Sequence, residues 1–181
     1  MPPITEGTLI FNFAFDAIKF DNTDYYRNHF GKIHVRACRN KKNPCSRTIL
    51  KGVPAVDILA VNTTTGYLIE VRDYTLETQE KRLDDLIEQF LGKVLLTLSA
   101  ILPMKINATV TAERNIADLF SKVPQIEAIL HLELPPLPSQ LQLASWDRSE
   151  IQMDLKRKLK GNINPKVVSK IDHQNLPWTV T

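Results

Sequence analysis

Four residues near the middle of this chain have types and spacings that suit phosphate chemistry. Asp57 lies inside PAVDILAV (54–61), Glu70 and Arg72 stand two apart inside YLIEVRDY (67–74), and Lys93 comes later, in the next long segment. Adjacent strands run about 4.8 Å apart, so side chains on one face of a strand pair can meet. Two facing carboxylates repel, and burying them ionised is costly unless a cation joins them. Mg²⁺, or Mn²⁺ in its place, prefers oxygen ligands and commonly takes one or two carboxylates, which makes Asp57 and Glu70 candidate metal ligands. In phosphodiester cleavage such an ion polarises the phosphate and activates water. Side chains two apart on a strand share a face, so Glu70 and Arg72 point the same way, with Leu68 and Tyr74. Whether Asp57 joins them depends on a strand register that the sequence leaves open.

The elements that must position these residues are legible. PAVDILAV and YLIEVRDY read as two strands joined by NTTTG (62–66), a β-hairpin. After it, Leu83, Leu86, Ile87, Phe90, Leu91, Val94, Leu95, Leu98, Ile101 and Leu102 make one apolar stripe at helical spacing. That predicts a helix of about six turns, closed by Pro103 and buried against the hairpin's sheet. Lys93 lies roughly 20° from Leu86 around this helix, at the edge of the stripe. Gln79 and Gln89 are further polar candidates nearby. A shorter helix is expected over 113–123, a third strand over 127–136, a basic helix over 148–161 stopped by Gly161, and a last strand over 164–171. Residues 8–20 alternate as one strand, with a short helix as the alternative. DNTDYY then reads as a turn or the start of a short helix, with Asn22, Thr23 or Asp24 as its cap. The predicted fold is an α/β (α+β) domain spanning 1–181, a mixed central sheet flanked by helices.

Pro54, Asp57, Glu70 and position 72 together resemble the PD-(D/E)xK nuclease superfamily, which carries a proline–aspartate element on one strand, D/E-x-K on the next, and then a long helix. The segment IEVRDY differs from the common IEVKDY pattern by one residue, Arg72. The resemblance implies a restriction-endonuclease-like core and a Mg²⁺- or Mn²⁺-dependent nuclease, with Asp57 and Glu70 on the metal. It also implies a catalytic lysine, and some members of the superfamily supply it from the helix after the hairpin, where Lys93 stands. Arginine stays protonated and presents a wide planar fork, so Arg72 cannot replace that lysine as a base. It can hold a phosphate or pair with Asp57 or Glu70. Further acidic ligands could come from Asp16, Asp21 or Asp24. Two functions fit these residues: an active nuclease using Asp57, Glu70, Arg72 and Lys93, or an inactive nuclease-fold module that binds nucleic acid or a protein.

Charge distribution bears on the partner. The span 27–51 holds eight basic residues and no acidic one, and 148–170 is basic too, whereas the span 57–100 between them is acidic. Arg36, Arg39, Lys41, Lys42 and Arg47 are therefore the candidate nucleic-acid contacts. His29, His34, Cys38 and Cys45 have ligand types that suit zinc, at a spacing that matches no common finger or ribbon. No basic n-region precedes a short apolar run, and no apolar stretch reaches 18 uninterrupted residues. The expectation is a cytoplasmic protein with nucleic acid as partner, no membrane, and a homodimer as the admissible assembly.

Overall fold

The computed structural model describes residues 2–38, 47–76, 81–135, 146–161, 163–173 and 175–181, with the backbone alone over 34–38 and 47–51. The chain opens with strands β1 (Ile4–Glu6), β2 (Leu9–Phe13) and β3 (Asp16–Lys19). A 3-10 turn (Phe20–Asn22) leads to α1 (Asp24–Asn28), capped by the Thr23 hydroxyl, which accepts from the Tyr26 N–H at 3.1 Å. Then come β4 (His34–Cys38), β5 (Arg47–Lys51), β6 (Ile58–Val61), β7 (Thr65–Asp73), α2 (Leu83–Asn107), α3 (Thr111–Phe120), β8 (Gln125–Glu133), α4 (Arg148–Leu159), β9 (Asn164–Val168) and β10 (Trp178–Val180).

Five strands form the central mixed sheet in the order β3-β6-β7-β8-β9. The first two junctions are antiparallel, and the pairings of β7 with β8 and β8 with β9 are parallel. Helices α2 and α3 make the crossover from β7 to β8, as a parallel pair requires. Period-two alternation then sorts the strand residues into two cores. Leu59, Val61, Leu68, Ala128, Leu130 and Val167 pack with the buried faces of α2, α3 and α4. Ile58, Ala60, Tyr67, Ile69, Val71 and Ile129 pack on a second, three-stranded sheet ordered β1-β2-β10, through Phe11, Phe13 and Trp178. The mixed α/β class is as expected, but helices cover one face only and a small sheet covers the other.

Several expected boundaries move for physical reasons. The run 8–20 is two strands, not one, because the chain changes sheets between Phe13 and Asp16. The arm 54–57 is not ladder-paired; the Val56 N–H instead donates to the buried Thr97 hydroxyl of α2 at 3.0 Å. Helix α2 does not stop at Pro103. Met104 is fully buried, and Lys105 pairs with Asp118 of α3 at 2.7 Å, so tertiary contacts carry the helix past the missing N–H. Its apolar stripe is also narrower than the sequence suggests, because Leu95 and Leu102 face outward. By length and composition α2 could cross a membrane, yet its other side is the wall of the main core. The basic segment contributes an antiparallel ribbon, β4 with β5, which the sequence pattern did not reveal.

Candidate active site

The hairpin register decides whether the carboxylates meet. Ile58 pairs with Ile69 and Leu59 with Leu68, so continuing the ladder by one step places Asp57 opposite Glu70. Cross-strand partners share a face. Asp57 is held there at both ends: its carbonyl accepts the Phe20 N–H at 2.7 Å, and its Oδ2 accepts the Val71 N–H at 2.7 Å. Its Oδ1 is left directed at the site, 3.7 Å from the Lys93 ammonium.

Glu70 is wholly buried, with 0% of its side chain exposed. The Lys93 Nζ donates to both of its oxygens, at 2.7 and 2.9 Å, and the Arg72 Nη2 contacts Oε1 at 2.8 Å. The structure thus brings Asp57, Glu70, Arg72 and Lys93 into one cluster on the α2 side of the sheet. Burial and the nearby charge of Asp57 push the Glu70 carboxyl up to about 7, and the two cations only partly offset them. Glu70 therefore changes charge near neutrality.

A third carboxylate belongs to this neighbourhood. Asp21 sits in the 3-10 turn whose first residue, Phe20, is bonded to Asp57. Burial and then the charge of Asp57 raise its carboxyl above the ordinary value, with Lys19 and Lys93 opposing. Its Oδ1 is buried without a hydrogen-bond partner among the described residues. Of the three N-terminal acids named from sequence, Asp16 is exposed on β3 and the exposed Asp24 begins α1, where its N–H donates to Glu113. Of the three, Asp21 is the one whose carboxyl is raised by the charge of Asp57. Nothing in its local sequence distinguished it; the signal was the antiparallel β3–β6 pairing, which continues past Lys19 and Ile58 to bond Phe20 to Asp57.

Two clefts open beside the cluster. One, of about 480 Å³, is lined by Arg72, Tyr74, Lys81, Arg82, Asp85, Leu86 and Gln89. The other is lined by Pro54, Glu88, Gln89, Gly92 and Lys93, so Gln89 stands between the two. The donor set suits a hard divalent cation. Among the described residues Asp57 Oδ1 and Asp21 Oδ1 are carboxylate oxygens without a close hydrogen-bond partner, and Glu70 faces Asp57. Among the described residues no three His, Cys, Asp or Glu side chains enclose an ion by themselves. That is compatible with Mg²⁺, which usually keeps several waters and takes further oxygens from substrate phosphate.

The other expected site residues are placed less fully. Arg36 and Arg47 lie on the β4–β5 ribbon, where only the backbone is described, and Arg39, Lys41, Lys42 and Gln79 fall outside the described residues. His29 stacks on Tyr25 with ring centroids 5.1 Å apart. His34 and Cys38 are described by backbone alone and Cys45 lies outside the described residues, so of that ligand series only the His29 side chain is described.

Comparison with known proteins adds one likeness. Over its whole length the chain is similar to part of a cysteine–tRNA ligase of Neisseria meningitidis, at 27% identity over 213 aligned residues. The chain spans about 30% of the length of that protein. No protein-family model matches the chain, and no solved structure matches it.

Proposed function

We propose that this domain is a PD-(D/E)xK-type, metal-dependent nuclease in which the lysine is supplied by helix α2. The observation that carries this reading is the Lys93 ammonium, seated on both oxygens of Glu70 and 3.7 Å from Asp57. The juxtaposition of a hairpin glutamate, a cross-strand aspartate and a helix-borne lysine supports this reading, although position 72 is arginine. Asp57 and Glu70 would hold Mg²⁺ or Mn²⁺, with water and substrate phosphate supplying the other oxygens. Such an ion, when bound, polarises a phosphate and lowers the pKa of a bound water. The protein's own groups have separate tasks. Lys93 orients a water against the phosphate and balances the carboxylates. Glu70, titrating near neutrality, must shed its proton to act as a ligand. Arg72 remains a cation throughout and steadies anionic oxygens. The likeness to a segment of a tRNA ligase supports a nucleic-acid setting, with RNA and DNA both to be tried as substrates.

A second reading rests on the same cluster. Both Glu70 oxygens are already engaged by cations, and such a closed set can persist without chemistry in a nucleic-acid-binding or protein-binding module. Incubation with plasmid DNA, single-stranded DNA and RNA in Mg²⁺ or Mn²⁺ separates the two. The nuclease reading expects cleavage that Glu70→Ala abolishes. An inert wild type that still binds nucleic acid, with affinity falling steeply in salt, would favour the module.

A further inference from the structure

Apart from Arg72, the residues lining the larger cleft beside the cluster have no part in the proposed chemistry. Tyr74 continues the row Leu68, Glu70, Arg72 on the α2 side of β7, because its N–H still donates to the Glu133 carbonyl along the parallel ladder. Trp146 packs against its ring, with centroids 6.2 Å apart and planes at 80°, and so helps to fix its orientation. Arg72 borders the same cleft. One arm of its guanidinium reaches Glu70, while its Nε is buried and has no hydrogen-bond partner among the described residues. A buried guanidinium N–H left without an acceptor is costly and asks for an anion or water. Arg82 is exposed at the mouth, at the start of the 25-residue helix α2, and has no side-chain capping bond. Lys81 adds a third cation to the lining. The remaining polar groups, Asp85 and Gln89, can accept from or pair with the amino and amide edge of a base. The volume of about 480 Å³ lies in the range that accepts a small organic ligand.

We propose that this cleft receives one unpaired nucleotide adjoining the scissile phosphate, its base against Tyr74 and its phosphate on Arg72 and Arg82, so that the substrate is single-stranded at that position. The inference rests on the proposed nuclease reading for the position of the scissile bond, but not for binding itself. Gln89 lines both clefts, so the nucleotide cleft adjoins the one that holds Lys93. A base inside a duplex is stacked on its neighbours and must be unpaired before it can reach a side chain on a sheet face. The cleft therefore discriminates by strand state. It also gives position 72 a task that lysine would do less well, since a planar fork can grip Glu70 and a phosphate at once.

The test is fluorescence anisotropy of the whole chain with a labelled oligonucleotide, as single-stranded DNA, single-stranded RNA and duplex, in EDTA so that no cleavage intervenes. The expected result is binding of at least one single strand about tenfold or more tighter than the duplex. Tyr74→Ala should weaken it by about fivefold or more, the lower range for loss of a base–aromatic stack, whereas Tyr74→Phe keeps it. Arg82→Glu, at an exposed position that leaves the core intact, should weaken it by about tenfold or more through the reversed charge. Equal affinity for single strand and duplex, or an unchanged affinity in Arg82→Glu, would overturn the proposal. Because the assay contains no divalent ion, failure to cut in a separate Mg²⁺ experiment would count against the nuclease reading and leave this binding result standing.

Discussion

At the scale of residues, the site is a balance of three acids and two cations in a mostly buried setting. Glu70 shows where the balance lies: its carboxyl is pushed up to about 7, chiefly by burial and then by Asp57. A folded-state value above the unfolded one means that the native protein binds more protons between about pH 4.5 and 7. Stability should therefore fall as pH rises through that window, by up to about 3 kcal/mol from this residue. Glu70→Gln cannot ionise, so its stability should improve relative to wild type between pH 5 and pH 8, as read by urea unfolding at each pH. An equal pH dependence in the two proteins would show that Glu70 is ionised throughout. Lys93 was legible in the sequence through its seven-residue offset from Leu86. Asp21 does not rank above Asp16 and Asp24 in the sequence, since residues so close differ here only through the long-range pairing of β3 with β6 that ends beside Asp57. The register that sets Asp57 against Glu70 was not legible either, because a one-residue slip leaves the same residue pattern and flips every side chain.

At the scale of elements, a hydrogen bond to α2 joins those of Phe20 and Val71 in anchoring the aspartate arm. The arm 54–57 lies outside the β6 ladder, and the Val56 N–H is satisfied by Thr97 of α2. Thr97→Val keeps the shape and removes the acceptor, leaving a buried N–H unpaired. It should cost about 1–3 kcal/mol in urea unfolding. It should also weaken divalent-cation binding, measured by calorimetry, because Asp57 comes directly after Val56. A cation affinity unchanged in this variant would show that the bonds from Phe20 and Val71 suffice to position Asp57. The long helix, the hairpin and the order of later elements were readable because their hydrophobic periods are long and regular. Their ends were not: Pro103 argues for a stop on local grounds, whereas Met104 and Lys105 gain enough from burial and from Asp118 to continue. The exposed Leu95 and Leu102 mislead in the opposite sense, since an apolar residue at the stripe's margin reads as core whether or not anything covers it.

At the scale of the whole molecule, the central sheet is a shared wall between two cores. Neighbouring strand residues alternate between them: Leu68 joins the helical core and Ile69 the core under the small sheet. Loss of packing on one side should therefore be felt on the other. Trp178→Ala removes a ring that contacts Phe13, Phe15 and Tyr67, and should cost about 3–5 kcal/mol. Unfolding should remain a single transition by circular dichroism and by fluorescence, because both cores depend on the same strands. Two separated transitions would mean that the small sheet melts independently. The sequence suggested helices around a sheet and did not show this second layer, because β1, β2 and β10 come from both ends of the chain and pair only through the fold.

In the proposed nuclease, Lys93 and not Arg72 takes the part of the superfamily lysine. Single-turnover cleavage of a labelled single strand in Mg²⁺ tests this most directly, with wild type, Lys93→Ala and Arg72→Ala compared at saturating protein. The expected result is a rate loss of about 100-fold or more for Lys93→Ala, in the range for removing a group that orients or activates the nucleophile, with a smaller loss for Arg72→Ala. Cleavage undiminished in Lys93→Ala, or an inert wild type that Arg72→Lys makes active, would contradict it.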